Sequence, residues 1–253
     1  MKRRRSISLA LALLVAFAVP AVAGVSRSDP AAVAVAQGVM RALGGRERWD
    51  ALPGLCWTFG VASHDSVRIS RRHAWDKRTG RHRVEGTFPG GVRFVFVHTL
   101  GDSTHGAAWL DGRAIHGDSL HTFIRQANAM WINDSYWFLM PYKLLDPGVT
   151  LKTGGVVRDG AGTFDRLALT FEHVGLTPGD RYWVDVNRAT HRVERWEMVL
   201  QGRQPPPVGY TWEGWEQHDG LWFPTAHRQG ALSVFTRDIR TVLTFPAQEF
   251  RAL

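Results

Sequence analysis

Leu55-Cys56-Trp57-Thr58-Phe59-Gly60-Val61 decides the fold class. Leu55, Trp57, Phe59 and Val61 alternate with Cys56, Thr58 and Gly60, the period of two that sends successive side chains to opposite faces of a strand. Just upstream the period is helical. Asp29-Pro30 resembles an N-cap followed by proline at the first helical position, where the missing N–H costs nothing. Ala32, Val35, Val39, Met40 and Leu43 then recur at helical spacing until Gly44-Gly45 ends the run. A helix with such a stripe is made to cover an apolar surface.

Downstream the period of two persists. Strands are expected over Val67–Trp75, Arg81–Phe88, Val92–Leu100, Thr150–Val157, Phe164–Phe171, Arg181–Val186 and Arg192–Leu200. Val208–Gln217, Leu221–Arg228, Leu232–Thr236 and Ile239–Phe245 complete the set. Thr79-Gly80, Asp111-Gly112, Asp159-Gly160 and Asp219-Gly220 supply tight-turn chemistry, which favours an antiparallel meander over parallel crossovers. Trp75–Glu85 is echoed by Trp183–Glu194, which implies one hairpin design used twice in a continuous sheet. The middle of the chain breaks the pattern. Asp118-Ser119 can cap a helix carrying Leu120, Phe123, Ile124, Ala127, Met130 and Trp131, and Asp134-Ser135 a second one running Tyr136–Met140 up to Pro141. Aromatic helical stripes of this kind are also ordinary core.

The N-terminus reads as an export leader. Lys2, Arg3, Arg4 and Arg5 precede an apolar run from Ile7 to Val19, and Ala21-Val22-Ala23 is a small-x-small cleavage signal. Thirteen helical residues reach only about 20 Å, short of a hydrocarbon core of roughly 30 Å. The expected domains are a cleaved signal peptide, 1–23, and a single domain, 24–253, free in the periplasm and without a transmembrane segment. Gly24 rather than cysteine follows the cleavage site, so no lipid anchor is expected there. Removing the leader's four cations from the formal +8 leaves +4, with scattered arginines, which argues against a nucleic-acid partner. The single cysteine, Cys56, excludes an internal disulfide and reads as buried filler.

No nucleophile elbow, phosphate loop, dinucleotide fingerprint or His-Glu-x-x-His motif is present. Eleven histidines are loosely spaced, His116 and His121 five apart and His98 and His105 seven apart, so the spacing indicates no metal site and no cofactor. A three-histidine site assembled from distant strands remains the enzymatic alternative. The positive signal is aromatic, with eleven tryptophans in the chain. Trp57 and Phe59 share a strand face, as do Phe94 and Phe96, Trp196 and Met198, and Tyr210 and Trp212. A large sheet tends to curl, so these faces can line a trough with Met130, Trp131, Trp137 and Met140 as its helical lid.

Ala42–Leu52, Met130–Trp137, Pro141–Leu144, Trp183–Asp185 and Asp219–Pro224 together resemble a family of secreted bacterial proteins that is similar to the LolA/LolB-like lipoprotein-localisation carriers. Those motifs are structural rather than catalytic. The resemblance implies an incomplete antiparallel β-barrel plugged by short helices. The expectation is therefore a mainly β, α+β fold, a half-barrel or strongly curved sheet with helices on its concave face. Its partner would be an apolar small molecule or lipid, with a lipoprotein or envelope protein as further partner. Trp57, Phe59, Phe94, Phe96, Met130, Trp131, Trp137, Met140, Trp196 and Trp212 are the candidate binding residues, and no catalytic residue is assigned. A metal-dependent envelope enzyme and a non-catalytic envelope scaffold are the rival readings.

Overall fold

The computed structural model describes residues 28–102, 104–172, 176 and 179–251; the expected signal peptide lies outside them. The chain opens with α1 (Pro30–Ala42) and α2 (Arg46–Ala51). Six strands follow: β1 (Gly54–Ser63), β2 (Ser66–Asp76), β3 (Arg81–Thr87), β4 (Arg93–Thr99), β5 (Gly106–Leu110) and β6 (Arg113–Ala114). The long helix α3 (Asp118–Leu139) and a 3-10 turn, Met140–Tyr142, lead into β7 (Val149–Asp159), β8 (Gly162–Phe171), β9 (Arg181–Asn187) and β10 (Val193–Val199). The last five are β11 (Val208–Thr211), β12 (Glu216–His218), β13 (Leu221–Phe223), β14 (Ala226–Gln229) and β15 (Leu232–Thr241).

These strands form antiparallel sheets. One has eight strands in the order β14-β15-β1-β2-β3-β4-β5-β6, a second has five in the order β11-β10-β9-β8-β7, and β12-β13 is a separate ribbon. The sheets meet at one corner, where Trp212 N donates to Glu194 O (2.8 Å) and Glu213 N to Ala226 O (2.9 Å). At the opposite edges β6 and β7 do not pair, and α3 is the connection between them. The architecture is thus α+β with open sheets rather than a closed barrel. Two expectations need correction. The echoed hairpins are β2–β3 and β9–β10, one in each sheet rather than neighbours in one. The two short helices expected after Asp118 are a single helix of 22 residues. Asp134 does not cap it but sits inside it, fully buried.

Period-two segments failed where local chemistry interrupts them. Val208–Gln217 splits into β11 and β12, and Pro224, which has no N–H for a ladder, separates β13 from β14. Conversely, Leu232–Thr236 and Ile239–Phe245 merge in part into β15, which accommodates Asp238 at φ 55°. β5, with its Gly106-Ala107-Ala108 start, carries too little alternation to be read in advance.

Three of the motifs that carry the family resemblance converge. Gly44 at the end of α1 has φ 115°, and a Cβ there would lie 2.3 Å from Gly220 O, so only glycine admits the β12–β13 turn. Trp222 N donates to Leu43 O (3.0 Å). The buried Tyr142 hydroxyl lies 3.1 Å from Leu43 O and 2.9 Å from Trp222 O, and its ring stacks on Trp49 at 4.2 Å. This knot pins α1 and α2 to the ribbon and to the end of α3. At the other end of α1, Asp29 leaves the helix N-terminus and bonds β7 instead, through Thr153 N (3.0 Å) and Lys152 Nζ (3.0 Å).

Candidate functional site

Helix α3 runs between the two sheets, and its two sides differ in kind. The side toward the five-stranded sheet borders a cavity of about 450 Å³. Tyr136 and Trp137 form its helical wall, with Phe171, Tyr182 and Trp196 opposite. These rings meet mostly edge to face: Trp137 lies 4.6 Å from Trp196 and 4.9 Å from Tyr210, and Tyr136 5.7 Å from Trp196. Edge-to-face pairs suit the ring quadrupole. Leu176 and Leu200, 54% and 42% exposed, belong to the lining and carry its apolar character out to solvent. Polar groups of the lining are largely satisfied by one another. Lys143 pairs with Asp146 (3.1 Å), and buried Asp180 accepts from Tyr182 Oη (2.7 Å) and Gln201 N (2.7 Å). Burial pushes the Tyr136 and Tyr182 phenols well above their usual range, so both are neutral. The cavity therefore presents mainly rings and uncharged edges, with the Lys143–Asp146 pair and the hydrogen-bonded Asp180 as its charged groups.

The other side of α3 is locked to the eight-stranded sheet by a row of polar groups. Asp134 Oδ1 accepts from Arg71 Nη2 (2.7 Å) and Asn133 Nδ2 (2.8 Å), and Oδ2 lies 3.0 Å from His73 Nε2. His73 Nδ1 lies 3.0 Å from His82 Nε2, and His82 Nδ1 lies 2.9 Å from His98 Nε2. All three rings are buried, and burial depresses each histidine, His98 to about 4. They are neutral at pH 7, so each ring has one donor and one acceptor nitrogen. The direction of the row then follows from its end. A carboxylate only accepts, so His73 donates from Nε2 and accepts at Nδ1, and His82 and His98 repeat the pattern. His98 ends the row, buried, with its ring against the backbone of Thr99 and Asp102. Trp57 lies flat on His73 at 4.7 Å, and Trp131 meets His82 at 4.8 Å.

The ten aromatic and apolar candidates fall into three places. Trp131, Trp137 and Trp196 line the cavity. Trp57, Phe59, Met140 and Trp212 are packed in the main core, and Phe94, Phe96 and Met130 in a smaller cluster beneath the first half of α3. Sequence reasoning missed Tyr136, Phe171 and Tyr182 on the cavity wall, and it missed the histidine row altogether. The signal for the row was present: His73 with Trp75, His82 with Val84, and His98 with Phe96 share the inward phase of their strands, where polar residues are out of place. The row links donors and acceptors in line rather than converging on a point, and no group of three or more His, Cys, Asp or Glu among the described residues is placed to hold a metal ion. Cys56 is buried, and burial pushes its thiol pKa up, away from the reactive thiolate.

No protein-family model matches the chain, and no curated protein matches it. Among solved structures it is similar to a DUF1329 family protein from Desulfovibrio piger, at 14% identity over 88% of this chain and 98% of that one, with a TM-score of 0.49. It is similar to a LolA superfamily protein from Nitrosomonas europaea, at 12% identity over 85% and 97% of the two chains, with a TM-score of 0.45. A Vibrio parahaemolyticus domain described as an outer membrane lipoprotein-sorting protein gives 12% identity over 87% and 96%, with a TM-score of 0.48. The likeness to these LolA-like and related structures is distant. Among the described residues no helix is long and apolar enough to cross a membrane.

Proposed function

We propose that this protein binds an apolar ligand, an acyl chain or lipid of the bacterial envelope, in the cavity between α3 and the five-stranded sheet, and acts as a carrier for it. The observation that supports this most directly is the cavity, about 450 Å³, walled by Tyr136, Trp137, Phe171, Tyr182 and Trp196, with the exposed Leu176 and Leu200 in its lining. A volume in this range suits a small apolar ligand. Burying ten methylenes there is worth roughly 8 kcal/mol before ordering costs, which makes micromolar affinity the upper limit for a chain of that length. The expected leader and the carrier-like sequence motifs support an envelope ligand, and the half-barrel carrier is the architecture this reading favours. Lipoprotein acyl chains belong to the same ligand class.

The test is displacement. An apolar fluorescent probe should bind the folded protein and be released by palmitate, and a brominated fatty acid should quench tryptophan emission, with less quenching in Trp137→Phe and Trp196→Phe. Absence of displaceable binding by folded protein would sink the carrier reading in favour of a scaffold.

A further inference from the structure

The face of the eight-stranded sheet turned away from α3 takes no part in the apolar cavity, and it carries a groove of its own. Thr58, Arg72, Glu85 and Val95 are opposite in phase to Trp57, His73, Val84 and Phe96, so they point away from the helix. Cross-strand register sets Arg237, Thr58, Arg72 and Glu85 side by side on β15, β1, β2 and β3. In the next row Ser70 faces Gly60, and Thr87 faces Arg93 of β4. The short side chains of Thr58 and Ser70 leave an open groove of about 610 Å³ among the long ones of Arg68, Arg72, Arg93 and Arg237. We propose that this groove binds a phosphate ester, held by Arg68, Arg93 and Arg237. The site stands apart from the carrier reading, since none of its residues lines the apolar cavity.

The charges of the groove do not cancel. Glu85 is the one carboxylate of its lining among the described residues, and it is already committed. Oε1 accepts from Arg72 Nη1 (3.1 Å), and Oε2 from Arg83 Nε (2.9 Å) and Nη2 (2.5 Å). Arg72 Nη2 turns to Glu249 Oε1 at 2.7 Å. Three arginines are left without a partner of that quality. Arg68 is exposed and makes no hydrogen bond or ion pair among the described residues. Arg93 Nε lies 4.0 Å from Asp111 Oδ1, and Arg237 Nε 3.7 Å from Asp238 Oδ2, with all four side chains more than half exposed. Ion pairs that long and that exposed are worth little and leave the guanidinium donors available. Arg237 is nevertheless positioned. It stacks over Phe235 at 5.4 Å, and that ring lies across Gly60, where a Cβ would collide with it.

The residue types select the ligand. A guanidinium offers paired donors that match two oxygens of a phosphate, and several of them around one groove match its charge better than that of a single carboxylate. The hydroxyls of Ser70 and Thr87 add donors between the cations. The groove is larger than a bare ion needs. Val67, 51% exposed, and Val95 put apolar surface beside the arginines, which gives the organic part of an ester a place to lie. A lipid headgroup and a soluble phosphate ester share this chemistry.

Two binding measurements test the site and separate its sources. Calorimetric titration with glycerol phosphate presents the soluble ester. Co-sedimentation with vesicles of phosphatidylglycerol and phosphatidylcholine in equal parts presents the headgroup, with phosphatidylcholine vesicles as the blank. In whichever arm binding is found, Arg68→Gln/Arg93→Gln should weaken it at least tenfold with an unchanged urea midpoint, because both side chains are exposed. Arg41→Gln/Arg158→Gln removes the same charge from exposed positions on α1 and β7 and should leave the affinity as it was. Binding of glycerol phosphate supports the site with a soluble ester as ligand, and binding of the anionic vesicles alone supports it with a lipid headgroup. Absence of binding in both arms overturns the site. Equal weakening by the two double variants overturns it as well, because the attraction would then belong to the net charge and not to the groove.

Discussion

The eight-stranded sheet meets α3 through packed rings and a buried row of hydrogen-bonded and charged groups set among them, whereas the five-stranded sheet meets the same helix through aromatic edges around a cavity. Buried polar groups are tolerated only when nearly every donor and acceptor finds its partner, so the first contact is directional and intolerant of change. Aromatic edges impose no such accounting, so the second can rearrange around a guest at little cost. One helix thus has a specified side and an adaptable side. The lesson is that the polar contact sets where α3 sits, and the apolar one leaves room for what it does.

The most severe way to break this asymmetry is to remove its anchor. Asp134→Ala leaves Arg71 and His73 facing each other without the carboxylate between them, and it should cost about 3–5 kcal/mol, read from the urea midpoint. A loss below about 1 kcal/mol would mean that the row is solvated in solution. Next in size comes a pair of neighbours on α3 that face different sheets. Phe138 is fully buried against Trp57 and Phe223, so Phe138→Ala should lose about 3–5 kcal/mol without weakening binding by the protein that remains folded. Trp137 is half-buried on the cavity wall, so Trp137→Ala should cost roughly half as much stability and reduce probe affinity at least tenfold. Equal stability losses with unchanged affinity would erase the distinction between the sides.

How much of this was legible follows the same division. Period-two alternation announced most strands, and Pro30, the Val39–Leu43 stripe and Gly44-Gly45 delimited α1, because those signals are local. The cavity was legible in part: Trp131, Trp137 and Trp196 stood out by residue type, while Tyr136, Phe171 and Tyr182 join them only once β8–β10 are placed against α3. The polar row was hidden by sequence distance. Asp134 looked like a helix cap because an aspartate inside a helix is otherwise unfavourable, and its compensation comes from Arg71 and His73, 63 and 61 residues away. His82 and His98 are direct cross-strand partners, but their separation of sixteen reports only the length of the β3–β4 hairpin.

Acid should sharpen the contrast further. The folded pKa of His98 is depressed from 6.5 to about 4, and that of His227, wedged 4.2 Å from Trp212, to about 3, both chiefly by burial. Between these values and 6.5 the unfolded chain binds more protons than the folded one. Stability is therefore fully present above about pH 6.5 and falls as the pH drops toward 4, by on the order of 3 kcal/mol for His98 alone. Urea midpoints taken from pH 7.5 to 4.5 check the slope, and His98→Gln should flatten it. A midpoint independent of pH across that range would mean that these rings are open to water.

The smallest effect tests whether the sheets differ anywhere except in the faces they turn toward α3. The β2–β3 and β9–β10 hairpins use one turn. Asp76 Oδ1 accepts from Arg78 N (3.1 Å) and Thr79 N (3.3 Å), and Asn187 Oδ1 from Ala189 N (2.8 Å) and Thr190 N (3.3 Å). Thr79 Oγ1 then accepts from Arg81 N at 3.3 Å, and Thr190 Oγ1 from Arg192 N at 3.2 Å. The next residue in each turn has positive φ, Gly80 at 73° and His191 at 55°. Because these amides lie where water can replace the lost acceptor, Thr79→Ala and Thr190→Ala should each cost only about 0.5–1 kcal/mol, and by the same amount. Neither should alter probe affinity or the acid slope. A difference above about 1 kcal/mol between the two would mean that one hairpin is supported by its sheet and the other is not, and the asymmetry would then reach beyond the faces that hold α3.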